Sequence, residues 1–71
     1  MASKRFVVHP GDGMTTQEEL IKAFEVLIGA HVDPQTSATG FFRGEFSVEE
    51  AEERRALEAL ARARIQVFPA N

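Results

Sequence analysis

Four residues in two short stretches have the types needed for metal chemistry: His9 and Asp12 in HPGDG, and His31 and Asp33 in HVD. Two imidazoles and two carboxylates make a tetrahedral zinc set if the stretches meet in space. The spacings His-x-x-Asp and His-x-Asp match no metal signature, and both histidines are equally at home as surface groups at strand or helix ends. Ser37 and Ser47 are the candidate nucleophiles, each needing a histidine brought to it by the tertiary fold. Ser47 already suits a helix cap. A chain of 71 residues leaves little room for a water-excluding cleft of about 300–1,000 Å³. No enzyme, no metal and no cofactor are expected. GDGMTT, leading into a helix start, offers free amides to an anion. It lacks the Lys of a phosphate loop and reads as a glycine-rich strand-to-helix turn.

The elements that must position these residues begin with KRFVVH, residues 4–9, where Phe6 and Val8 alternate with Arg5, Val7 and His9 as in a half-buried strand. Pro10, Gly11 and Gly13 then mark a turn. Thr15 and Glu18 form a capping box that starts the first helix, with Asp12 adding charge the helix dipole favours. From Leu20 to Ala30 the apolar residues cover about 220° of that helix, far more than the roughly 100° a surface helix needs. Ser47 and Glu50 form a second capping-box pattern, with Phe46 ahead of it to staple onto Ala51. The stretch EEAEERRALEALARAR has strong helix propensity and two i,i+4 pairs, Glu50–Arg54 and Glu58–Arg62. Its first turn, Glu49 to Glu53, is acidic on nearly every side and is expected to project past the core. Ile65 and Val67 return to a period of two, and Pro69 ends the segment.

The expected fold is a small α/β (α+β) two-layer domain. Its order is β-α-(loop or short strand)-α-β, with two helices packed on a short two- or three-stranded sheet. The terminal strands are expected to pair. GFFRGEF or a second subunit would then supply a third strand, because two strands alone are marginal. Residues 1–71 form one domain, with residues 31–40 as a flexible connection within it.

The totals narrow the function. No cysteine is present to form a disulfide or bind metal, which suits a cytoplasmic protein. The apolar runs are too short for a signal peptide or a membrane span. A net charge of −3 disfavours nucleic acid, whose binders draw most of their affinity from phosphate neutralisation.

TTQEELIKAF nevertheless resembles the first helix of a phage-repressor-like helix-turn-helix. VDPQTSATGFFRGEFSVEEAEERRALEAL resembles the recognition helix, the Arg-Gly-Glu after it and the closing helix. The resemblance covers about half the chain, in common residue types. It implies a DNA-binding regulator in which Gln35, Thr36, Ser37 and Thr39 face base edges and Arg43 a phosphate. Three features depart from that family: the first helix runs on through FEVLIGA, Gly40 falls inside the recognition helix, and a strand replaces the preceding helix.

The other reading is a protein-interaction module that self-associates through its first helix or a sheet edge. Phe41 and Phe42 in an extended segment would point to opposite faces, one into the core and one toward a partner. Arg43 and Glu45 flank them as polar contacts. Glu49, Glu50 and Glu53 suit a partner with a basic patch. A short Cys-free chain opening on Met suits an accessory or inhibitory protein of the kind phages and mobile elements encode. Interaction is the favoured reading.

Overall fold

In a computed structural model that describes residues 2–70, the alternating Phe6 and Val8 place Ser3–His9 as strand β1, the centre of a three-stranded antiparallel sheet ordered β2-β1-β3. Helix α1 (Thr16–Gly29) follows, then a short helix α2 (Ala38–Arg43), β2 (Glu45–Glu49), a 3₁₀ turn (Glu50–Glu52), α3 (Glu53–Arg62) and β3 (Gln66–Pro69). The chain is thus a small α/β two-layer domain. It has one helix more than the sequence pattern indicates.

Register decides which side chains meet. Phe6 lies opposite Phe46 and Val8 opposite Val67, so the inward face of the sheet is apolar and receives α1 and α3. Leu20, Ala23 and Leu27 from α1 join Ala56 and Leu60 from α3, with Val32, Val48 and Ile65, in one core. At roughly 25 cal/mol per Å², burying each large aliphatic chain stabilises by about 1.5–3 kcal/mol. The outer face is mixed, as expected for an antiparallel sheet with one solvated side. There Arg5 Nη2 donates to Glu45 Oε1 at 2.9 Å, and the His9 ring meets exposed Phe68 edge-on at 5.8 Å.

The helix ends follow local chemistry. Thr15 and Glu18 close the expected capping box: the Thr15 Oγ1 accepts from the Glu18 amide, and the Glu18 carboxylate accepts from the Thr15 amide. Helices α1 and α3 then end alike. His31 (φ 64°) and Arg64 (φ 61°) take the left-handed conformation, and the amides of Val32 and Ile65 reach back to the carbonyls of Leu27 and Leu60, both at 2.9 Å. These are Schellman ends without glycine. The buried Val32–Leu27 and Ile65–Leu60 pairs hold them.

Several expectations are corrected. Ser47 does not cap a helix; it is a strand residue opposite Arg5. The Glu50–Glu52 turn and α3 begin with no side-chain cap. Phe46, expected to staple onto Ala51, is a core residue opposite Phe6. The stretch ATGFFR is helical, not extended. Ser37 Oγ accepts from the Gly40 amide at its start, and Gly44 (φ 74°) ends it. Within residues 31–40, Val32 and Pro34 are buried, and Gln35 exchanges two backbone hydrogen bonds with Ser47, at 2.9 and 2.8 Å. Neither expected i,i+4 pair forms among the described residues; Glu52 meets Arg55 at 3.4 Å instead.

Candidate functional site

Three of the four exposed large hydrophobic residues among the described residues, Ile21, Ile28 and Phe42, lie along α1 and α2. At 100° per residue, Leu20, Ala23 and Leu27 share the side of α1 that faces the core, while Ile21, Phe24 and Ile28 form a ridge about 60–100° further round. Ile21 is 50% exposed and Ile28 62%. Phe24 is half-buried, its ring edge-on to core Phe46 at 6.2 Å. Helix α2 lies against the Leu20 side of this ridge, fixed where Gln17 Nε2 donates to the Phe42 carbonyl at 3.0 Å. Phe41 packs against the core margin, and Phe42 stands 71% exposed, the two rings edge-on at 6.0 Å. Between them is a recess of about 210 Å³ lined by Leu20, Ile21, Phe24, Glu25, Ile28 and Phe41.

The seven residues that the sequence pointed to do not form one site. Phe41, Phe42 and Arg43 precede β2 and lie by the first turn of α1. Glu49 is the last residue of β2, and Glu50 and Glu53 follow it at that far end. A five-residue strand, roughly 16 Å long, separates the groups. Glu45 is taken up within the fold: its carboxylate accepts from Arg5 and its carbonyl from Thr36 Oγ1 at 2.6 Å. Glu49 and Glu50 are exposed and Glu53 is half-buried. Beside them Asp33, Glu49 and Glu52 border an open acidic hollow of about 410 Å³. Ile21 and Ile28 were missed as individual residues, although the 220° apolar arc of their helix was their signal.

Three of the four residues that would read bases in a helix-turn-helix make hydrogen bonds within the domain while staying exposed. Gln35 is bridged to Ser47 and its side chain donates to Asp33 at 3.1 Å, Thr36 bonds the Glu45 carbonyl, and Ser37 caps α2. His9 and His31 sit beyond opposite ends of α1, whose 14 residues span about 21 Å. Among the described residues, no cluster of three or more metal-ligating side chains is placed to hold an ion, and no helix is long and apolar enough to cross a membrane. Comparison with known proteins finds no family model, no curated protein and no solved structure that matches this chain.

Proposed function

We propose that this protein is a small non-catalytic protein-interaction module whose main contact surface is the apolar face of α1 and α2. The observation that carries the reading is the exposure of Ile21 and Ile28 around an apolar recess, with Phe42 exposed beside Phe41 in its wall. Exposed apolar patches of this kind, rimmed by polar groups, mark contacts with other macromolecules. An aromatic anchor beside Arg43 has the composition of a binding hot spot. The acidic end of β2 adds a second, electrostatic contact that steers a basic partner and weakens with salt. An accessory or inhibitory role on a partner protein in the cytoplasm fits this build.

The test is affinity capture from lysate with mass spectrometry, run with and without nuclease. A nuclease-resistant protein partner is expected. Phe42→Ala should lose it, and Glu49→Lys with Glu50→Lys should weaken capture and flatten its salt dependence. Capture that both variants leave unchanged, or that vanishes with nuclease, refutes the reading.

A further inference from the structure

We infer that the α1–α2 face is closed by a second copy of this chain. The dimer is two-fold, its axis runs alongside α1, and Arg43 of each copy is set against Glu18 of the other. The inference rests on reading that face as the contact surface, and it names the occupant.

The sheet edges are poor routes to self-association. β3 ends in Pro69, which has no amide to donate, and the free edge of β2 is partly taken by the paired hydrogen bonds to Gln35. The helical face is different, because it holds both halves of a contact. An isologous interface needs a patch complementary to itself. Here Phe42 projects beside a recess of about 210 Å³, enough for an apolar side chain from the facing copy.

The charges select the orientation. α2, carrying Arg43, ends at Gly44 against Thr16, on the Leu20 side of the Ile21–Ile28 ridge, whereas Glu18 and Glu25 lie on its other flank, about 40–60° beyond Ile21. A two-fold parallel to α1 exchanges the flanks. Arg43 follows Phe42, whose carbonyl is bonded by Gln17, so it stands level with the first turn of α1. The facing residue on the opposite flank at that level is Glu18. An axis perpendicular to α1 would instead set Glu18 and Glu25 against the same acids of the other copy. Neither Arg43 nor Glu18 forms an ion pair among the described residues; the Glu18 carboxylate bonds only the Thr15 amide, leaving one oxygen to accept.

The area is sufficient. The exposed parts of Ile21, Phe24, Ile28, Phe41 and Phe42 amount to roughly 400 Å² per chain, given full aromatic burials of about 150–250 Å². Two such patches with their polar rims reach the roughly 1,000 Å² that a specific interface needs.

The experiment is sedimentation equilibrium of the full chain from low micromolar to near-millimolar concentration, with circular dichroism melts of each variant. The apparent mass should rise from 7.9 kDa toward twice that value. Phe42→Asp and Ile28→Asp, both at exposed positions, should each raise the dissociation constant at least tenfold while leaving the fold intact. Arg43→Glu should raise it about tenfold. Adding Glu18→Gln, which removes the facing charge yet keeps a capping-box residue, should recover most of that loss. A wild-type mass fixed at 7.9 kDa overturns the dimer, and leaves Phe42-dependent capture of another protein standing. A dimer unaffected by Phe42→Asp and Ile28→Asp places self-association elsewhere. An Arg43→Glu defect that Glu18→Gln does not relieve overturns the two-fold orientation.

Discussion

Leu20 and Leu27 on α1 are closed beneath the sheet and α3, whereas Ile21 and Ile28, each one residue further along, stand 50% and 62% exposed. Side-chain type and helix propensity are nearly the same on the two sides, so neither explains the difference. What differs is what the chain places over them. The inner side receives Phe6, Val8 and Phe46 from the sheet and Ala56 and Leu60 from α3. The outer side receives only α2, which is six residues long and covers one flank. A small domain has too little chain to enclose a helix, and α1 is apolar through about 220°. The uncovered ridge is thus a consequence of size.

The comparison breaks most sharply at Gly44, on the packed side, where β1 and the first turn of α1 close onto the chain. Its φ of 74° favours glycine, and an added Cβ would fall inside the Thr16 methyl and 2.9 Å from Val8 Cγ2. Gly44→Ala is expected to cost about 3 kcal/mol or more, combining left-handed strain with overpacking. Chemical denaturation would measure this; a loss under about 1 kcal/mol would show that the contact relaxes.

A paired substitution sharpens the contrast within α1 itself. Leu27→Ala removes a fully enclosed side chain and should destabilise by about 2–5 kcal/mol, while its neighbour Ile28→Ala should stay within about 0.5 kcal/mol in dilute, monomeric protein. Similar losses at both positions would mean that the ridge is already covered in the single chain.

An effect smaller than at Gly44 or Leu27, and of opposite sign, comes from Glu19, enclosed on the inner side at 3% exposure, with its Oε1 bonded to nothing among the described residues. A buried oxygen without a partner costs about 1–3 kcal/mol. Glu19→Met, similar in volume and good in helices, is expected to gain about 1 kcal/mol and raise the melting temperature by several degrees. A melt at or below that of the wild type would show that the carboxylate is satisfied in solution.

How much of this was legible in the sequence depended on the range of the interactions involved. The strand at Phe6 and Val8 and the Thr15–Glu18 box are written in residues two or three apart, and both formed as read. The Ser47–Glu50 pattern is equally local and misled, because Ser47 is held by β1, more than forty residues earlier, and by Gln35. Local capping chemistry is worth about 1 kcal/mol, which a strand inserted between two partners overrides. Helix α2 was illegible for the converse reason: six residues cannot hold a helix alone. It forms because Ser37 caps it, Gly44 ends it and Gln17 ties it to α1. Of the candidate residues, Phe41, Phe42 and Arg43 stay together in α2, as their adjacency requires. Their distance from the glutamates of the 49–53 stretch was not visible without the direction of β2.

By itself the sequence determined the layered α/β class, the start of α1, the pairing of the terminal strands and an apolar surplus on α1 too broad for a domain of this length. These follow from periodicity, capping and counting, which act along the chain. The tertiary structure alone decided that residues 45–49 form the third strand, that Phe41 and Phe42 ride on a helix, and that the surplus gathers as one ridge beside Phe42. Those outcomes depend on which distant segments compete for the same backbone amides and the same apolar area, and no window of neighbouring residues contains both competitors.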